Sequence, residues 1–283
     1  MTDPARRRGI SRTVALDRSL ELLPLFRLSD SSDEAAITYE PDGGGRWRVL
    51  PAPGERLPGT FDQDVFIELI RRYHEAGSPA DGTIAFTLHA FLRSMGRRVD
   101  GRTYEQLRSA LNRLLRTTLE SDGAYFDFTT GANMNGSFSV LSSVQIDRRR
   151  FAERDQLALF PTLANNEPGD AHVTIVGTIR ANIAAGHLVS LSSARYFALS
   201  SPVARRIYRL IGLVRVQGSP VWRISLDRLA EQLPLIQRFP SHLQRVLQPA
   251  HEMLVAAGIL RSARFVQDSR VWYVEYTLGT AAN

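Results

Sequence analysis

Residues 101–118 read GRTYEQLRSALNRLLRTT, and the spacing of their apolar side chains decides the fold. Tyr104, Leu107, Leu111, Leu114 and Leu115 return every three or four positions, the buried stripe of an amphipathic helix from Tyr104 to about Thr118. Arg102, Glu105, Gln106, Ser109, Asn112, Arg113 and Arg116 lie away from that stripe. Upstream, Ile84–Thr87 reads either as a short strand or as the opening turn of a helix over Leu88–Met95. Gly96 stops that helix, Asp100-Gly101 forms the turn, and Thr103 is the expected cap. Downstream, Thr117–Glu120, Ala124–Thr129 and Phe138–Ile146 have strand character, broken by Asp122-Gly123 and a Gly131–Gly136 loop. Short helix, turn, longer helix and strand pair is the order of a winged helix-turn-helix.

The same grammar returns over residues 221–279. Trp222–Ser225 reads as a short strand, Leu226–Leu233 as a short helix, and Pro234–Pro240 as the turn. Ser241 is the expected cap of a helix to Ala257, with Leu243, Leu247, Ala250 and Leu254 on one side and His242, Gln244, Arg245, Gln248 and His251 on the other. Pro249 is expected to kink that helix or divide it. Ile259–Val266 and Trp272–Leu278, joined by Gln267–Arg270, form a terminal hairpin. The expected class is therefore α+β, with two tandem winged helix-turn-helix domains. The first spans 51–190 with a long wing insertion and the second spans 191–279. They are preceded by a mobile basic arm (residues 1–20) and a short hairpin (Ile37–Glu40, Arg46–Leu50) within 1–50, and followed by a tail at 280–283. Leu22–Leu28 docks on the first domain, Thr60 caps a helix carrying Asp62 and Asp64 in its first turn, Ser201-Pro202 caps another, and Val173–Ile179 and Leu188–Leu191 are strands.

The chain has 283 residues, a net charge of +6 and 35 basic side chains, every one an arginine. A planar five-donor guanidinium suits phosphates and guanine edges, so an anionic partner fits this balance. No cysteine is present, which excludes disulfides and thiolate-held metals and points to a reducing cytoplasm. No apolar run reaches membrane-spanning length, and no export signal or membrane partner is expected. The six histidines form no HxH or HExxH set, and a phosphate-binding GxxxxGK[ST] is impossible without lysine. No metal, cofactor or catalytic residue is therefore expected; Tyr196 and Tyr208 remain as hydroxyls, Tyr208 beside an apolar stripe.

An α-helix fits the major groove, where arginine reads guanine, glutamine and asparagine read adenine, and small hydroxyls bind phosphate. The polar face of 102–116, with Arg97, Arg98 and Thr103 at its start and Arg116 at its end, carries this set. His242 and His251 are surface or phosphate-contacting groups. Arg261, Arg264 and Arg270 on the terminal hairpin suit phosphate or minor groove, and Arg6–Arg8 and Arg148–Arg150 are further backbone contacts.

Three segments are familiar. LPGTFDQDV at 57–65, GRTYEQLRSALNRL at 101–114 and SSPVARRIYRL at 200–210 resemble the plasmid replication initiator protein A family. That resemblance implies tandem winged helices on repeated origin sites (iterons) in double-stranded DNA. It also implies origin opening with a host initiator, recruitment of the replicative helicase, and a homodimer in equilibrium with monomer. By correspondence Arg102, Gln106, Ser109 and Arg113 read bases in the first unit, and Ser241, Gln244, Arg245 and Gln248 in the second. A transcriptional regulator, or autorepressor, built from the same two modules is the alternative.

Overall fold

The computed structural model describes residues 13–29, 35–146, 171–237 and 239–279. The expected contacts at Arg6–Arg8 and Arg148–Arg150 lie outside these residues. Residues 13–20 are not a free arm. Val14 and Leu16 of β1 (Thr13–Asp17) are fully buried, and the Asp17 carboxylate accepts the Ser19 N–H at 2.9 Å to start α1 (Arg18–Glu21). Leu23, Leu25, Phe26 and Leu28 follow into the core. The expected hairpin forms from β2 (Ile37–Tyr39) and β3 (Arg46–Leu50). Its turn needs Gly45, whose φ is +83° and where a Cβ would stand 2.6 Å from the Gly123 backbone.

Next comes α2 (Thr60–Glu75), capped by Gly59, so Thr60 is its first residue and not its cap. The ambiguous segment is a strand, β4 (Thr83–Phe86), and Thr87 caps α3 (Leu88–Ser94). In α4 (Gly101–Arg116) the cap is Asp100. Its Oδ1 accepts the Thr103 N–H at 2.9 Å while Thr103 Oγ1 accepts the Asp100 N–H at 3.0 Å, a reciprocal box that places Thr103 in the first turn. Leu107, Ala110, Leu111 and Leu114 are fully buried. The expected 131–136 loop is instead mostly strand: β5 (Thr118–Asp127) and β6 (Ala132–Phe138) join the early hairpin in a four-stranded sheet ordered β2-β3-β5-β6. The return hairpin comes later, as β7 (Leu141–Ile146) and β8 (Ala171–Ile175) in a sheet ordered β4-β8-β7.

Where a strand was expected to run to Ile179, Gly177 begins α5 (Gly177–Ala184). The next strand, β9 (Leu188–Ser192), pairs antiparallel with β1. After α6 (Ser193–Ala198), Ser201 caps α7 (Pro202–Val216) with Pro202 at its first position, as its sequence implies. Then follow β10 (Val221–Ser225), α8 (Leu226–Gln232), α9 (Pro240–Ala256), β11 (Leu260–Asp268) and β12 (Val271–Leu278). Phe239, not Ser241, occupies the cap of α9, and the helix continues unbroken through Pro249.

One topology therefore occurs twice. Helix, strand, two helices and two strands run as α2-β4-α3-α4-β7-β8 and again as α7-β10-α8-α9-β11-β12, with sheets ordered β4-β8-β7 and β10-β12-β11. The first copy carries β5 and β6 as an insertion between its longer helix and its hairpin.

A buried polar seam joins the copies. Glu21 accepts Arg209 Nε at 2.7 Å and Nη2 at 2.5 Å, and Arg206 Nη1 at 3.3 Å. Three consecutive residues of α2 extend the seam. Asp62 accepts Arg113 of α4 at 2.9 Å. Gln63 bonds Arg209 and the Pro202 carbonyl, both at 3.3 Å. Asp64 accepts Arg97 at 2.7 Å, the Tyr196 hydroxyl at 3.0 Å, and Arg205. At the rim, Arg228 of α8 lies 4.4 Å over the Tyr39 ring and Gln232 donates to the Tyr39 hydroxyl at 3.1 Å. Buried charges survive only when paired in this way, because unpaired ones forfeit hydration without recompense.

Candidate nucleic-acid interface

The polar stripe of α4 is Arg102, Gln106, Ser109, Asn112 and Arg116, all exposed. The Arg102 guanidinium has no ion-pair or hydrogen-bond partner among the described residues, so its donors are available to a ligand. Ser109 and Asn112 border an open groove of about 860 Å³ between α4 and β7, lined also by Glu105, Arg108, Leu115, Val144 and Ile146. Arg116 pairs with Glu55 at 2.6 Å yet stays half-exposed. Arg98 is 88% exposed and 3.5 Å from Asp100. Surface ion pairs of this kind are worth about 0–1 kcal/mol, so a phosphate can replace the carboxylate at little cost. Thr103 is committed to the helix box.

Arg113 departs from its expected role. It is buried, and its Nε and Nη2 both reach Asp62 Oδ1, at 3.0 and 2.9 Å. At the edge of the polar face, its long stem bends inward because Asp62 supplies a buried anion there. Asn112, the neighbouring two-headed side chain, faces outward in its stead, and its place on the polar face was visible in the helical periodicity.

On α9, Ser241, His242, Arg245 and Gln248 are exposed and Gln244 is half-buried. Gln248 Nε2 donates to Glu252 at 2.8 Å, whereas Arg245 has no partner among the described residues. His251 is a correction. It is 2% exposed, its Nε2 lies 2.8 Å from the Tyr276 hydroxyl, and burial pushes its imidazole down to about 4. It is a core residue and not part of the polar face. Arg261, Arg264 and Arg270 on the terminal hairpin are exposed and unpaired among the described residues, Arg270 directly after the left-handed Ser269. Arg223, on the same sheet, is held by Asp268 at 2.9 Å and Glu275 at 3.4 Å. Sequence reading missed Phe239, which is 69% exposed with its ring 5.8 Å from that of His242. The signal was available, since Ile236 and Phe239 are large apolar residues in the turn before α9 and belong to no stripe.

The two tyrosines are buried. The Tyr208 hydroxyl accepts the Ser192 N–H at 3.1 Å, and Tyr196 donates to Asp64. Burial and the adjacent Asp64 charge hold the Tyr196 hydroxyl well above its ordinary ionisation range. Among the described residues no group of three or more His, Asp or Glu side chains is gathered as a metal site would require, and no helix is long and apolar enough to cross a membrane.

The fold is mixed α/β and is shared with solved structures of low sequence identity. Domains 2 and 3 of RctB match with a TM-score of 0.52 at 10% identity, covering 92% of this chain and 95% of that one. A second crystal structure of the same RctB domains gives 0.51 at 10%, with 92% and 96% covered. The Pi initiator protein in complex with iteron DNA gives 0.47 at 12%, with 77% and 94% covered. No curated protein sequence matches the chain. The model of the replication initiator protein A family matches residues 17–252, and the chain belongs to that family.

Proposed function

We propose that this replication initiator binds double-stranded DNA sequence-specifically at repeated origin sites. In this reading its two copies of one topology are tandem winged helix-turn-helix units, within 51–190 and 191–279. The observation that carries the reading is the duplication itself. Each copy aims the outer face of its longer helix at solvent with free arginine beside amide and hydroxyl side chains: Arg102, Gln106, Ser109 and Asn112 on α4, and Ser241, Gln244, Arg245 and Gln248 on α9. Arginine and amide side chains on a protruding helix match the donor and acceptor pattern of major-groove base edges. Arg97, Arg98, Arg116, His242 and the hairpin arginines supply sequence-independent phosphate contacts. The chain acts by binding, without catalytic chemistry of its own. Opening of the origin, recruitment of a host initiator and replicative helicase, and a dimer–monomer equilibrium in the cytoplasm complete the proposal.

Footprinting of the purified chain on the DNA flanking its own gene, across a salt titration, tests it. Regularly spaced direct repeats, protected with an affinity that falls steeply in salt, are expected. A single protected palindrome would make the chain a transcriptional regulator instead, and metal-dependent nicking of supercoiled DNA would make it an enzyme. On the protected repeat, Arg102→Ala or Gln106→Ala is expected to cost about 1–3 kcal/mol and relax specificity at one base pair. Arg98→Ala should weaken all sequences alike.

A further inference from the structure

Asp64 lies where the two copies meet, and its contacts are divided between them. It is 1% exposed on the second turn of α2, and its Oδ2 accepts from two arginines at once. One is Arg97, in the turn before α4, at 2.7 Å; the other is Arg205 of α7. Its Oδ1 accepts the Tyr196 hydroxyl. One oxygen is thus shared by a cation from each unit. The residues beside it divide the same labour: Asp62 grips Arg113 of α4, and Gln63 grips Arg209 of α7. Arg97 is the accessible member of the cluster, 41% exposed and 5.5 Å over the Phe61 ring. A phosphate at the foot of α4 and the buried carboxylate therefore compete for one guanidinium. In a site this dry, any change in that guanidinium is felt by Arg205.

Building on the DNA-binding reading above, we propose that Asp64 is a positioning residue that couples the two reading units and sets which spacing of half-sites the chain accepts. Coupling of this kind is reciprocal: what DNA at α4 does to the junction, the junction does to DNA affinity.

The test uses the full chain and the DNA protected in footprinting, either native or with about 5 bp, half a helical turn, inserted at the centre of one protected repeat. Wild-type protein is expected to lose about 30-fold in affinity or more on the insertion. Asp64→Asn keeps an acceptor for Tyr196 but not the charge shared by the arginines. It should bind native DNA about tenfold more weakly and the inserted DNA within about threefold of that. Equal losses on both DNAs, with the wild-type ratio preserved, would reduce Asp64 to a structural role and overturn the proposal. Should Asp64→Asn not fold, Tyr196→Phe, which removes one hydroxyl, is expected to lower the ratio by about threefold, and an unchanged ratio overturns the proposal equally. Wild-type binding that ignores spacing would also overturn it. Absence of any protected repeat would instead defeat the initiator reading.

Discussion

Arg113 and Asn112 are adjacent on one helix, and a single buried anion separates their fates. Asp62, 1% exposed, also accepts the Gly59 N–H at 2.8 Å, so it ties the first turn of α2 to its cap residue while it anchors α4. Removing Arg113 would leave that carboxylate in the core with its charge uncompensated. Arg113→Ala is expected to lower folding stability by about 3–5 kcal/mol, read from urea denaturation, with base preference intact in the protein that remains folded. An unaltered urea midpoint accompanied by relaxed specificity at one base pair would return Arg113 to the DNA. His251 teaches the same lesson in reverse. Its spacing put it with the polar residues of α9, yet the Tyr276 hydroxyl and the Phe265 ring, 5.2 Å away, enclose it.

At the scale of elements, the two reading helices are built differently. Asp100 and Thr103 lock the start of α4 with reciprocal hydrogen bonds, whereas α9 starts at Pro240 with no side-chain cap and carries Pro249 in its exposed middle. The terminal hairpin following α9 adds Arg261, Arg264 and Arg270, exposed and unpaired among the described residues. Each such arginine on a phosphate contributes about 0.9 to the slope of log affinity against log salt. Replacing all three by glutamine is expected to flatten that slope by about 2.7, with little change in thermal stability, since no described partner is lost. A slope that does not move would take the hairpin off the DNA. Arg223 is the internal contrast, because Asp268 and Glu275 already occupy its guanidinium.

The whole molecule is stitched by residues distant in sequence. Asp17 joins β1 to β5 through the Tyr125 hydroxyl at 2.5 Å and to α5 through Asn182 Nδ2 at 3.1 Å. Burial outweighs these donors and pushes its carboxyl up to about 7, against about 3.9 for an unfolded chain. Because the folded value is the higher one, the stabilisation is complete below about pH 4 and is lost as pH rises through about 7. Asp17→Asn, which imitates the neutral form, is therefore expected to gain on wild type in melting temperature between pH 5 and pH 8. A gap that stays constant across this range would mean that Asp17 ionises at its ordinary value.

Periodicity was enough to place α4, α7, α8, α9 and the terminal hairpin, because helical and strand patterns are properties of neighbours along the chain. The repeated helix-turn-helix and the arginine and amide side chains on the longer helices were legible for the same reason, whereas the first hairpin was expected within 117–146 and forms from β7 and β8. Local pattern did not show that β1 pairs with β9, that β5 and β6 extend the early hairpin into a sheet, or that Arg113 and His251 turn inward. Those outcomes depend on what stands opposite: Asp62 for one side chain, Tyr276 for the other, and an open strand edge for β3. The sequence alone determined which elements form and which polar groups they carry. Only the tertiary structure decided which of those groups face solvent, because burial of a charged side chain is set by a counter-charge that the chain delivers from far away.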